Sequence, residues 1–117
     1  MMSEFEIEAS DAGATATVLR LRGRLDARGA SALTARCAAV RAEHRHLVLN
    51  MAGVSFIASS GVGALLALVE ESRQSQSRVR LAEVPPAVDS VIRLLNLDQF
   101  LSIDATEADS RAELEAA

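Results

Sequence analysis

The chain of 117 residues has a formal net charge of −4, half of its residues are apolar and 24% are charged, as in a single globular domain. It contains no Trp or Tyr and no basic run, so it lacks the stacking platforms and cationic stripes that bind nucleic acid or anionic membranes. The single Cys37 excludes an internal disulfide, and we expect this residue in the core. We therefore expect one domain over residues 1–117, with no direct nucleic-acid partner.

The sequence shows no recognisable targeting signal or membrane-spanning segment. Met1-Met2-Ser3-Glu4 has no basic region and no apolar stretch of a secretory signal. The longest apolar run, Val62 to Val69, is far shorter than a membrane span. These features predict a cytoplasmic protein without a membrane partner.

The first half of the chain predicts three strands and a helix. Phe5–Glu8 alternates between apolar and polar residues, and Thr15–Arg22 follows it as the second strand of a hairpin. Asp26 is expected to cap a helix that runs from about Ala30 to Ala42. His46–Met51 is apolar on successive residues, which favours a central strand covered on both faces.

The second half continues the alternation of helices and strands. We predict a helix from about Ser60 to Ser72, a strand over Val79–Glu83, a helix that starts at Pro85-Pro86 and ends at a left-handed Asn96, a strand over Phe100–Ile103 and a polar helix over Glu107–Ala117. The order implies an α/β fold: a mixed sheet of four or five strands, with about four helices mainly on one face. We expect four of the apolar residues to be buried, namely Leu47, Leu49, Ile92 and Leu95.

The most informative segment is Ser55–Gly63, between the central strand and the next helix. Ser59 and Ser60 lie at the predicted helix start, where a serine oxygen can accept a hydrogen bond from an unpaired backbone N–H. The same helix end stabilises an anion, and a phosphate would add roughly −1.5 to −2 charge at one surface point. The segment fits two interpretations, a simple helix cap and a phosphorylation switch.

Motifs of catalysis and metal binding are missing. Ile57 and Ala58 stand where a serine nucleophile elbow requires glycine, and Leu66 stands where a dinucleotide fingerprint requires its third glycine. The chain has no Lys for a phosphate-binding loop, and His44 and His46 have no Cys or carboxylate at metal-ligand spacing. We expect neither an enzyme nor a bound metal or cofactor.

The helix after the serines also indicates an interaction surface. Gly61 and Gly63 each cost about 1 kcal/mol relative to Ala within a helix, which suggests close backbone approach by a neighbouring loop or by a partner. The apolar residues of Val62–Val69 cannot all face one core, so some apolar surface is expected beside the serines. A helix that is buried on two sides is the alternative.

Three segments resemble the STAS domain of anti-sigma factor antagonists: Gly23–Ala27, Leu47–Asn50 and Val54–Gly63. The correspondence extends through the helix after Pro85-Pro86 to Leu97 and so covers nearly the whole chain. The resemblance implies the STAS fold and a small bacterial protein that binds a serine-kinase anti-sigma factor, which releases a sigma factor. We expect a monomer or a weak dimer.

The resemblance also implies the switch. In this family the kinase uses ATP to phosphorylate the second serine of an Asp-Ser-Ser-Gly motif, and a serine phosphatase restores binding. That serine matches Ser60, with Ser59 as the alternative site, and the family's acidic residue after the second strand matches Asp26. The aspartate of the motif is Ala58 in this chain, so a non-phosphorylated STAS binding or scaffold subunit of a transporter or signalling complex is the alternative function.

The expected partner-binding surface combines the helix start with the loop around Asp26. Its residues are Arg24, Asp26, Arg28, Ala58, Ser59, Ser60, Gly61, Val62 and Leu65. A bulky change such as Gly61→Trp is expected to block the partner and to leave thermal stability near that of the wild type.

Overall fold

The computed structural model describes residues 5–43 and 45–116, which form five strands and four α-helices. In chain order these are β1 (Phe5–Asp11), β2 (Ala16–Leu25), α1 (Ala27–Ala42), β3 (His46–Ile57), α2 (Ser59–Gln74), β4 (Val79–Ala82), α3 (Pro86–Leu94), β5 (Ile103–Asp104) and α4 (Glu107–Glu115). A 3-10 turn, Leu97–Gln99, lies between α3 and β5. The predictions for Met1–Glu4, His44 and Ala117 lie outside the described residues.

The strands form one sheet in the order β1-β2-β3-β4-β5. β1 pairs with β2 antiparallel and the other neighbours are parallel, so the mixed α/β sheet is confirmed. β3 is central, as predicted, and Leu47 and Leu49 are fully buried. The prediction of a strand over Phe100–Ile103 was wrong in position, because Phe100 ends the 3-10 turn with a hydrogen bond to the carbonyl of Leu97.

Helices α1, α2 and α3 cover one face of the sheet and enclose the main core, and α4 covers part of the opposite face through Leu114. Ile92 is buried as expected. The prediction for Leu95 was wrong, since this side chain is 52% exposed. The physical reason is that α3 ends at Leu94, and the chain leaves the helix through a left-handed Asn96, so Leu95 does not continue the buried stripe.

Two bulges shape the end of the central strands. The register passes from Arg20↔Asn50 to Arg22↔Gly53, and again from Gly23↔Val54 to Arg24↔Phe56, so β3 gains one residue at each step. The side chain of Asn50 accepts a hydrogen bond from the amide of Ala52 at the first bulge. Because the pairing resumes after each bulge, β2 and β3 end side by side at Leu25 and Ile57.

α4 is held to the sheet largely by polar contacts. Arg20 binds the carboxylate of Glu107 with both Nε and Nη2, at 3.0 and 2.9 Å, and the side-chain amide of Asn50 donates to the same carboxylate. Arg80 of β4 binds both oxygens of Asp104 in β5, at 2.6 and 3.0 Å, and the same carboxylate accepts a hydrogen bond from the hydroxyl of Ser110 on α4 at 2.7 Å. None of the helices within the described ranges is long and apolar enough to cross a membrane.

Candidate binding surface at the serine loop

The starts of α1 and α2 lie together at the end of the β2–β3 pair. The amide of Ala58 donates a hydrogen bond to the carbonyl of Leu25 over 3.0 Å. Asp26, the next residue after β2, caps α1 by accepting a hydrogen bond from the amide of Gly29 at 3.1 Å, as predicted. The structure therefore brings two short segments to the same end of the β2–β3 pair: Asp26–Arg28, here called the Asp26 loop, and Ala58–Ser60, here called the serine loop.

The serines do not cap α2, contrary to one interpretation of the sequence. The helix begins one residue earlier than predicted, at Ser59, so Ala58 holds the N-cap position with extended backbone angles. The carbonyl of Ala58 accepts the first hydrogen bond of the helix from the amide of Val62 at 3.0 Å. Ser59 and Ser60 are thus the first two helical residues, and both are exposed.

The hydroxyl groups of Ser59 and Ser60 are free to react or to bind a ligand. Within residues 5–43 and 45–116, neither hydroxyl takes part in a hydrogen bond with a backbone or side-chain group. The first turn of α2 has no acidic residue and no side-chain cap. No side chain in the described part of the chain therefore pairs with the free backbone N–H groups of this turn or offsets the partial positive charge of the helix end, and both favour an added anion.

Gly61 supplies the close backbone approach that the sequence suggested, and the neighbour is the end of β2. A Cβ atom at Gly61 would lie 2.4 Å from the carbonyl oxygen of Leu25 and 3.0 Å from the side chain of Ile57. The expectation that Gly61→Trp leaves stability unchanged was therefore wrong, because this residue is packed against the core. Gly63 differs, since a Cβ atom there would meet no atom within 4 Å.

The residues expected at the binding surface divide by burial. Leu65 is only 2% exposed and belongs to the main core, so the structure removes it from the expected surface. Val62 is half-buried on α2, whereas Arg28 is exposed at the start of α1. A surface partner can reach the exposed groups and part of Val62, but not the side chain of Leu65.

Phe56 is a surface residue that the sequence reasoning did not select. Its ring is 40% exposed, and the guanidinium of Arg24 lies over it at 4.2 Å from the centroid. Arg24 Nε is also 4.0 Å from the carboxylate of Asp26, so the stacked pair continues into the Asp26 loop. The available signal was an aromatic residue at the end of an apolar strand, within the Ser55–Gly63 segment itself.

The other potentially reactive groups lie elsewhere or are inaccessible. Burial raises the pKa of Cys37 to about 12, so its thiol is neutral between α1 and α2. Among the described residues no group of three or more His, Cys, Asp or Glu side chains could hold a metal ion. The two exposed serines at the start of α2 are therefore the strongest candidate for a functional site among the described residues.

The chain belongs to the STAS domain family, whose sequence model matches residues 6–110. Its fold is closely similar to that of anti-sigma factor antagonists. The unphosphorylated form of SpoIIAA, a Bacillus cell fate determinant, superposes with a TM-score of 0.80 at 23% identity, over 96% of this chain and 98% of that chain. An anti-sigma factor antagonist from Mycobacterium paratuberculosis gives a TM-score of 0.81 at 25% identity, over 95% of this chain and 94% of that one.

The same fold occurs in a larger protein of another kind. A structure of the murine Solute Carrier 26 family member A9 anion transporter matches 99% of this chain with a TM-score of 0.73, at 16% identity. The match covers 23% of the transporter chain. The fold by itself is thus compatible with more than one cellular role.

Proposed function

We propose that this STAS domain is a bacterial, cytoplasmic anti-sigma factor antagonist that regulates transcription by partner switching. It binds a serine-kinase anti-sigma factor through the surface formed by the serine loop and the Asp26 loop. Binding releases a sigma factor from the kinase. The observation that carries the proposal is the exposure of Ser59 and Ser60 at an uncapped helix start beside Asp26.

Phosphorylation of Ser60 would end the interaction by changing the surface and not the fold. The half-buried Val62, two residues further along α2, provides apolar area near Ser60, and the ring of Phe56 is exposed at the end of β3. A phosphate adds roughly −1.5 to −2 charge there, and desolvating that charge at an apolar contact is unfavourable. Asp26 adds like-charge repulsion toward any acidic group of the partner. A serine phosphatase would restore the binding surface.

The proposal is tested by isolating the chain, with its bound proteins, from the cell that expresses it naturally. We expect an ATPase with a serine-kinase domain to be captured. The purified pair is then incubated with ATP, and any phosphate is located by mass spectrometry in the wild type and in the variants Ser60→Ala and Ser59→Ala. We expect phosphate on Ser60 in the wild type and in Ser59→Ala. Phosphate on Ser59 alone would move the site by one residue.

Ala58 favours a second candidate function. The family's motif has an aspartate at this position, which in this chain is the N-cap of α2 and carries no polar side chain. A constitutive STAS subunit of a transporter or signalling scaffold needs the same surface but no kinase. Tight binding of transporter or scaffold subunits, with no phosphate on either serine after incubation with ATP, would favour this alternative.

A further inference from the structure

The edge of the sheet next to β4 is only partly covered. β5 consists of Ile103 and Asp104, and it pairs with β4 at Leu81 and Ala82 alone. The first half of β4 therefore has no strand neighbour on that side within the described part of the chain. A sheet edge of this kind presents backbone donors and acceptors to another chain.

The backbone groups of Val79 point toward this open side. The carbonyl of Arg78 accepts a hydrogen bond from the amide of Leu47 in β3, whereas the amide of Leu81 donates to the carbonyl of Ser102. Successive residues of a strand direct their backbone groups to opposite sides, so Val79 faces the same side as Leu81. β5 begins too late to pair with it.

A groove of about 230 Å³ lies beside this edge, between β4, the second half of α2 and the segment before β5. Val69, Val79 and Phe100 supply apolar walls, and Phe100 is 66% exposed. Ser72 also lines the groove; its side chain is 1% exposed, and its hydroxyl has no hydrogen-bond partner among the described residues. A buried unpaired hydroxyl is unfavourable and is satisfied when a ligand supplies the missing partner.

The groove continues past Phe100. A second depression of about 280 Å³ shares Val69, Arg73 and Phe100 with the first and extends to Leu66. We call the two depressions together the β4-edge groove. Its open backbone edge and apolar walls suit a short extended segment, with backbone pairing at Val79 and an apolar side chain beside Phe100.

The charges at the rim favour a neutral occupant. Glu70 and Arg73 on α2 are exposed and paired with each other at 3.6 Å. The side chains of Arg78 and Arg80 bind groups at the opposite face, the carbonyl of Glu113 and the carboxylate of Asp104. Because Arg78 and Arg80 direct their guanidinium groups to the opposite face, the charges left at the rim are those of the Glu70–Arg73 pair, which cancel. A charged segment would therefore lose hydration without gaining a partner.

We propose that the β4-edge groove binds an extended, uncharged, apolar segment of a partner protein by strand addition to β4. The backbone of the segment pairs with Val79, the hydroxyl of Ser72 gains a partner, and an apolar side chain packs on Val69 and Phe100. Strand addition obtains affinity from main-chain hydrogen bonds and specificity from side-chain pockets. Ser72 lies roughly 18 Å along α2 from Ser60, so this contact is independent of the proposed switch.

The test starts from a library of random linear peptides displayed on phage and selected against the folded full chain. An enriched peptide is synthesised and titrated into ¹⁵N-labelled protein. We expect the largest changes in chemical shift at the backbone amides of Val79, Phe100 and Ser102. The amide hydrogen of Val79 should also exchange more slowly with solvent when the peptide is bound. N-methylation of the peptide residue that pairs with Val79 should abolish binding, because it removes one backbone donor.

Three variants separate the groove from other surfaces. Phe100→Ser should abolish detectable binding, and Ser72→Ala should weaken it by about two- to tenfold, the value of one hydrogen bond. Ser72→Ala should also raise the thermal midpoint of the free chain, since it removes an unpaired buried hydroxyl. Leu94→Ser is the matched control: this leucine is 82% exposed and lies outside the groove, so binding should not change.

Several results would overturn the proposal. The selection could yield no enriched peptide, or the changes in chemical shift could centre on Phe56 and the serine loop. The wild type and Phe100→Ser could also bind the peptide with equal affinity. Concentration-dependent shifts of Val79 in the free chain, with a dimer in sedimentation, would assign the groove to a second copy instead. Each result leaves the serine switch untouched, because none of the variants alters the start of α2.

Discussion

The amide of Ala58 and the carbonyl of Leu25 are joined by a hydrogen bond of 3.0 Å, which ties the end of β3 to the end of β2. Three residues further on, Gly61 packs against the same carbonyl. Backbone contacts therefore position the start of α2, and they do so without any side chain that caps the helix. The exposed serines are presented on a well-supported turn whose N–H groups remain unpaired.

The first prediction concerns the missing cap. Ala58→Asp should raise the free energy of unfolding by about 1 kcal/mol, since a carboxylate at the N-cap accepts a hydrogen bond from the first turn. Urea denaturation measures the change. Ala58→Asn supplies a neutral cap and should also stabilise, whereas Asp26→Ala removes the cap of α1 and should destabilise. An Ala58→Asp variant no more stable than the wild type would contradict this account of the helix start.

The two glycines of α2 should respond in opposite directions to the same substitution. Gly61→Ala should lower the free energy of unfolding by about 1–3 kcal/mol, because its Cβ atom would overlap the carbonyl of Leu25. Gly63→Ala meets open space and should raise it by up to about 1 kcal/mol, through better helix propensity. Thermal or urea denaturation of the two variants checks the pair. Equal effects would show that Gly61 is not confined by β2.

The third prediction tests whether charge at Ser60 controls the partner. Ser60→Asp should weaken binding of the captured kinase, while the thermal midpoint stays at or above that of the wild type, since a negative charge at a helix start contributes roughly 0.3–1 kcal/mol. Ser60→Asn is the matched control, because asparagine has nearly the size of aspartate but no charge, and it should bind the kinase more tightly than Ser60→Asp does. Titration calorimetry with the purified partner gives both affinities. Identical affinities of the two variants would mean that charge is not the signal.

The fourth prediction is a loss of stability in acid. The hydrogen bonds from Arg80, followed by that from Ser110 and the charge of Arg80, outweigh burial and hold the pKa of Asp104 below its usual value. Burial alone would raise the pKa of Glu107, but hydrogen bonds from Asn50 and Arg20 outweigh it and lower the pKa. Both carboxylates therefore stabilise the fold above about pH 4, the ordinary range of unfolded carboxyl groups, and this contribution is lost as the pH falls through the lower folded values.

Asp104→Asn checks this origin of the acid sensitivity. At pH 7 the variant should be less stable than the wild type, because Arg80 loses a charged partner. As the pH is lowered below about 4, the free energy of unfolding of the variant should also fall less steeply than that of the wild type. Urea denaturation at a series of pH values measures both slopes. An unchanged slope would mean that Asp104 does not contribute to the acid transition. Glu43→Gln, a change of an exposed carboxylate just after α1, is the control.

The fifth prediction concerns Cys37, whose pKa burial raises to about 12. In the folded protein the thiol should not react with a chromogenic disulfide reagent at pH 8, and it should react at once after unfolding in urea. Because the folded pKa lies above the unfolded value of about 8.5, the contribution of this thiol to stability is complete below that value and is lost as the pH rises toward 12. Rapid reaction of the folded chain would contradict the burial of Cys37.

Much of the architecture could be predicted from local patterns. The apolar run in β3 required a strand covered on both faces, and Asp26 predicted the cap of α1, which the structure confirms. Errors arose where a helix or strand ends. Leu95 was expected inside because it continues an apolar stripe, yet α3 ends at Leu94, and the end of a helix depends on how the next segment packs.

The sequence by itself determined the order of the elements, the α/β class and the position of two serines after the central strand, because periodicity and turn residues act over a few neighbours. Only the tertiary structure decided that Gly61 is confined by Leu25, that Ala58 and not a serine is the N-cap, and that the ring of Phe56 is exposed. These features depend on two bulges in the β2–β3 pair, whose register arises between residues about thirty positions apart. Such long-range pairing leaves no local pattern in the sequence.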